Sequence, residues 1–196
     1  MATESIETSA AIYFYGQREP RFGYMSNFYP CHFVDAQGQQ YRSSEQYFMK
    51  KKQELFDPTN QAVAIAILSA KTPPEVKRLG RRVKNYDDKV WAAKRYEVMV
   101  EALKLKFTAD SDLRVKLLAT GNKKLYEASR SDAIWGIGLG IPHVKDLFRR
   151  NEAFFAAGDV DDATQSEWYG QNLLGKALME TRAWLWEQEL AMTLEN

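Results

Sequence analysis

Glu45 and Lys52 lie in the run Tyr41-Arg-Ser-Ser-Glu-Gln-Tyr-Phe-Met-Lys-Lys-Lys52, a carboxylate and an amine spaced to hold something between them. Ser43 followed by Gln46 is a capping-box pattern, which starts a helix with Ser43 as its N-cap. On that helix Glu45, Phe48, Met49 and Lys52 share one stripe. The charged pair is two turns apart, roughly 10 Å of rise, beyond an i,i+4 salt bridge. Helical side chains tilt towards the N-terminus, so Lys52 leans back over Phe48 and Met49 towards Glu45. A small ligand fits between the two ends. The same spacing also fits a plainer arrangement, in which Lys52 snorkels past the apolar stripe to water and Glu45 only stabilises the first turn.

Other fragments carry weaker chemistry, each with a structural alternative. Asn27, in Ser26-Asn-Phe28, is either a turn former or a ligand contact. Arg81 follows Gly80, where a planar guanidinium could grip phosphate or simply face solvent. Trp91 is a ligand platform or a core residue. Asp132, Trp135 and Gly136 occupy the glycine-punctuated stretch Ser129–Gly140, whose glycines permit close backbone approach. Its G-x-G-x-G spacing is not the dinucleotide fingerprint, and no preceding strand fits one, so a Rossmann reading is rejected. Asn172 is placed to cap the last helix. Gly175 inside that helix costs roughly 1 kcal/mol against Ala, which points to close packing or a ligand nearby.

These residues must be held by a mainly helical frame. Segments 43–56, 60–70 and 73–80 read as helices, broken at Asp57-Pro58 and Thr72-Pro73-Pro74. A long helix over 87–108 should bury a Trp91, Val98, Ala102 and Leu105 stripe. Helices over 110–119 and 172–190 follow. Ile12–Tyr15 is β-rich, and His32–Val34 with Gln40-Tyr41 flank a turn at Asp35–Gly38. Residues 1–11 read as a flexible tail and 12–190 as one domain, with an insertion over 139–167. The expected class is α+β, a mostly helical single domain with a small antiparallel sheet near the N-terminus.

Composition narrows the function classes. Across 196 residues, 45% apolar and 13% aromatic content suffices for a packed core. With 27 basic against 26 acidic side chains, any grip on phosphate must be local. Cys31 is the one cysteine, which excludes an intrachain disulfide and, with two histidines, a structural zinc site. No stretch reads as a membrane span or a signal peptide, so a cytoplasmic location is expected.

The fragments recur in a familiar order. Ser26-Asn-Phe28, Ser43–Phe48 with Lys52, Leu79-Gly-Arg81, Trp91, Lys106-Phe107, Leu117–Gly121, Leu125-x-Glu127, Asp132-x-x-Trp-Gly136 and Gly170-x-Asn-x-Leu-Gly-x-x-Leu-Met179 together resemble the NADAR family of YbiA-like or RibX-like N-glycosidases. The resemblance runs from about Ile12 to Arg182, with the stretch between Gly140 and Trp168 longer than the family pattern. It implies the NADAR fold and hydrolysis of a bond between a ribose anomeric carbon and a nitrogen. The substrates it implies are phosphoribosyl intermediates of riboflavin synthesis, or ADP-ribose on guanine, free or in nucleic acid. By the same resemblance Lys52 is the main catalytic residue, with Glu45 and Asp132 as acid–base or ribose-holding carboxylates. Asn27, Phe28, Arg81, Trp91, Trp135, Gly136 and Asn172 would line the pocket, with no cofactor and no metal.

That chemistry suits those residue types. Cleavage develops oxocarbenium character, which a carboxylate stabilises, while the departing nitrogen needs a proton. A lysine attacks only as the neutral amine, which burial against Phe48 and Met49 favours. It could then form an imine with the opened ribose. The rival is a non-catalytic ADP-ribose or nucleotide-binding module; a stripe-facing amine beside two carboxylates argues against it.

Overall fold

The computed structural model describes residues 4–150 and 169–194. They fall into two compact units, Asn27–Val115 and Met1–Ser26 with Lys116–Asn196. Among the described residues no helix is long and apolar enough to cross a membrane.

The 27–115 unit begins with an antiparallel pair, β3 (Phe33–Val34) and β4 (Gln40–Tyr41). Asp35 makes its turn, its Oδ1 accepting from the backbone N–H groups of Gln37 and Gln39. Helices α1 (Ser44–Phe56), α2 (Gln61–Ser69), α3 (Pro73–Gly80) and α4 (Asp88–Ala109) follow. Three start on the caps that their sequences carry. Ser43, Asn60 and Asp87 accept through their side chains from Gln46, Val63 and Val90 N–H respectively. Helix α1 packs against the other three.

On α4 the buried residues include Trp91, Met99, Ala102, Leu103, Lys106 and Phe107. Val98 and Leu105, expected in the stripe, are only half-buried. The expected stripe was too narrow, because this helix buries a broad face and takes the Lys106 side chain in with it. Helix α5 (Ser111–Leu118) leads out of this unit.

The other unit is built from both ends of the chain. Strands β1 (Ile6–Glu7), β2 (Ala11–Phe14) and β5 (Lys124–Glu127) form a sheet in the order β1-β2-β5, antiparallel then parallel. Helix α6 spans Ile141–Arg150, and α7 (Leu173–Leu194) packs on β5. The α+β class holds, with short sheets among helices. Two details differ from the sequence reading. The tail expected over residues 1–11 is ordered from Ile6, because Ile6 and Glu7 pair with Tyr13 and Ile12. The Thr8 hydroxyl closes that turn by accepting from Ala10 and Ala11 N–H. The sheet is also not purely antiparallel, since β5 joins β2 in parallel from far along the chain. Of the insertion expected over 139–167, the start forms α6, and 151–167 lies outside the described residues.

Candidate active site

Helix α1 delivers the stripe that its spacing implied. Glu45, Phe48 and Met49 are buried and Lys52 is half-buried. Gln46 fixes the start of this helix. Its side chain accepts from Arg42 N–H at 2.8 Å and donates to the carbonyls of Ile67 and Leu68, both at 3.0 Å. The reciprocal half of the expected capping box thus reaches one residue further back. The loop ahead of α1 is tied to it twice. Asn27 donates from Nδ2 to Glu45 Oε2 at 2.6 Å, and its carbonyl accepts from Glu45 N–H at 3.0 Å. Asn27 is therefore more than a turn former: it aims a carboxylate that is only 3% exposed. Phe28, next to it, is half-buried with the Lys77 ammonium 5.8 Å from its ring centre.

The Lys52 ammonium lies over the Tyr86 ring, 4.0 Å from its centre. That arrangement depends on the segment between α3 and α4. Asp57 Oδ2 accepts from Lys84 N–H, Asn85 donates from its amide to Phe56 O, and Asn85 adopts a left-handed φ of 55°. The chain reverses there and sets Tyr86 edge-on against Phe56, with ring centres 5.4 Å apart. Tyr86 then donates to Asp88 Oδ1 at 2.7 Å. Burial and that hydrogen bond push its phenol up to about 12.

Burial holds the Lys52 amine below the ordinary lysine value, and the positive charge of Arg81 pushes the same way. Glu45 and Asp88 oppose both without winning. Lys52 thus feels Glu45, Arg81 and Asp88, and its amine gives up its proton more readily than usual. Removing Arg81 should raise the Lys52 value. Titration of the Lys52 side chain by NMR in Arg81→Ala tests this. An unchanged or lower value would show that Arg81 is not a neighbour of consequence.

Two expected pocket features have structural jobs. Trp91 is 5% exposed, its ring centre 4.8 Å from Phe48 and 6.2 Å from Phe56, so it floors the Lys52 region as core. Gly80 leaves room for Met49, whose Sδ would be 1.9 Å from an added Cβ. Close approach at Gly80 thus serves helix packing.

The remaining predicted residues gather in the other unit. Asp132 Oδ1 accepts from the N–H groups of Ile134 and Trp135, shaping the turn that presents Trp135. A Cβ on Gly136 would meet Glu127 O at 2.7 Å and Asp132 O at 2.9 Å. The carbonyls of Ile134, Trp135 and Gly136 accept from the N–H groups of Leu173, Leu174 and Asn172. These bonds satisfy donors that the start of α7 would otherwise leave open. Asn172 takes a left-handed φ of 51°, and its side chain does not cap α7. It bridges β5 instead, accepting from Glu127 N–H at 3.1 Å and donating to Leu125 O at 2.9 Å. The strand's open backbone edge is the stronger claim on that buried amide.

Tyr86 and Asp88 escaped the sequence reading. In the sequence, Tyr86-Asp87-Asp88 marked only the start of a helix at about 87, where the structure makes Asp87 the cap. The placement of an aromatic face beneath Lys52 comes from Asn85 and Asp57, which no local pattern couples to it.

With this geometry in view, the NADAR domain model matches residues 13–186. The chain is 33% identical over 183 residues to N-glycosidase R617 of Acanthamoeba polyphaga mimivirus, covering 90% of this chain and 97% of that protein. It is 35% identical over 127 residues to riboflavin biosynthesis protein VVA0006 of Vibrio vulnificus (strain YJ016), covering 65% of this chain and 33% of that protein. Its fold is similar to the NMR structure of the E. coli protein YbiA, with a TM-score of 0.68 and 28% identity. That match covers 94% of this chain and 90% of that one.

Proposed function

We propose, from the premise that this chain belongs to the NADAR family, that it is an N-glycosidase, a hydrolase of the bond between a ribose anomeric carbon and a nitrogen. The observation that carries the reading is Lys52, an amine whose proton is loosened by burial and by Arg81, on the same helix stripe as an amide-aimed carboxylate. Neutral Lys52 attacks the anomeric carbon, the carbon–nitrogen bond breaks, and the leaving nitrogen takes a proton. Ring opening gives an imine on Lys52. Water adds to it, releases the sugar and returns the amine. Glu45, held by Asn27, stabilises positive charge on the ribose or accepts from its hydroxyls. Phe28 and Trp91 belong to the same unit as Lys52, and the family resemblance adds Asp132 as a second carboxylate, with Trp135, Gly136 and Asn172, in the other unit. Arg81 is the proposed contact for a substrate phosphate.

The favoured substrates are ADP-ribose linked to guanine, free or in nucleic acid, and phosphoribosylamino-pyrimidines. The test is incubation with each, reading released sugar against pH. Activity should rise with pH as one group loses its proton, with a midpoint below the ordinary lysine value, as an attacking amine requires. Tight binding of these compounds without any release of sugar would sink hydrolysis in favour of a binding module.

A further inference from the structure

A concave feature of the 27–115 unit is not lined by Lys52. It is a cleft of about 150 Å³ where α1 and α3 begin, walled by Pro30, Pro73 and Val76. Arg42, Lys71 and His32 line it, whereas Asn27, Glu45, Lys52 and Arg81 do not. None of those three basic side chains has an acidic partner among the described residues. Glu75 Oε2 accepts from the backbone N–H of Lys71 at 3.2 Å and leaves its ammonium alone.

The floor of the cleft has a donor to spare. Ser43, 3% exposed, accepts from Gln46 N–H through its hydroxyl, and that hydroxyl's own proton has no acceptor among the described residues. Gln46, also in the lining, is spent on Arg42, Ile67 and Leu68. The start of α1 adds positive potential from its dipole. The N–H groups of Glu45 and Gln46 are spent on Asn27 and Ser43, and Pro73 and Pro74 have none, so both helix starts contribute field and shape only. The size argues for a group rather than a whole molecule, since drug-sized ligands occupy roughly 300–1,000 Å³. Arg42 and Lys71, both solvent-exposed, around one spare hydroxyl donor suit a small multivalent anion.

We propose that this cleft is an anion subsite that takes a phosphate group. The loop Asn27–His32 links it to the Asn27–Glu45 pair. A phosphate held here would belong to the substrate's own phosphates, or to the strand that carries a modified base. That assignment rests on the proposed function, whereas phosphate binding itself does not require hydrolysis.

Amide chemical shifts in the full chain, titrated with inorganic phosphate, pyrophosphate and a single-stranded oligonucleotide, test the proposal. Saturable shifts at Ser43, Ser44, Lys71 and Thr72 are expected. The double variant Arg42→Gln/Lys71→Gln should bind about tenfold more weakly or worse, since two charge-assisted contacts are lost. Both side chains are exposed, so the variant keeps its fold, which its spectrum reports directly. A response to phosphate or pyrophosphate assigns the site to a free or terminal phosphate. A response to the oligonucleotide alone assigns it to a strand backbone. No saturable shift with any of the three, or unaltered binding by the double variant, overturns the site. Because binding is read without turnover, failure here and failure of hydrolysis are told apart.

Discussion

Lys52→Ala should abolish turnover, with a loss on the order of 10⁴–10⁶-fold, the scale seen when an enzyme loses its nucleophile. The fold should survive, because Lys52 is half-buried at the edge of α1 over a Tyr86 ring that is itself 43% exposed. Lys52→Arg should be equally inactive, since a guanidinium keeps its proton and cannot attack carbon. Borohydride added during turnover should leave the sugar on Lys52 of the native chain, read as a mass increase on the peptide that carries it. Near-native rates in Lys52→Arg would reduce Lys52 to an electrostatic contact and remove the imine.

The second large effect is on stability. Gly175→Ala places a methyl group 2.0 Å from Leu125 O and 2.5–2.6 Å from the amide atoms of Asn172. Ala is the better helix former by roughly 1 kcal/mol, so a surface helix would gain. Here the obstacle is backbone. Leu125 is paired with Ile12 across the sheet and also bonded to Asn172, so β5 has nowhere to go. The expected cost exceeds about 4 kcal/mol, beyond ordinary point substitutions, and denaturant unfolding followed by circular dichroism measures it. A variant as stable as the native chain would mean that α7 stands off β5 by more than the geometry allows.

What was legible in the sequence tracks how local each signal is. Ser43, Asn60 and Asp87 cap the helices they were placed to start, and Pro58 and the Pro73-Pro74 pair mark breaks, because caps and breakers act within one turn. The Glu45 to Lys52 stripe was legible for the same reason. Strand β5 was not: Lys-Leu-Tyr-Glu is too short to declare itself and becomes a strand only beside β2. Asn172 looked like a cap, and only the tertiary structure shows β5 claiming its amide. Gly175 was recognised as anomalous, but its reason, the Leu125 carbonyl, lies in a different element. Tyr86 is the clearest case at the site, since its role depends on Asn85 and Asp57 folding back on α1.

The parallel pairing of β2 with β5 also sets an order of events for the nascent chain. Ala11–Phe14 leaves the ribosome early, whereas its partner Lys124–Glu127 follows only after the whole of segment 27–115. Closing so long a loop adds little to the equilibrium cost, which rises by only about 0.6 kcal/mol per doubling of length, but it slows formation of the sheet. The continuous segment can condense as soon as it emerges. Meanwhile β1 can cover one edge of Ala-Ile-Tyr-Phe as a local hairpin, and the other edge stays open until β5 is made. That interval, with an apolar strand edge unpaired, is when this chain is most exposed to joining another copy instead of itself.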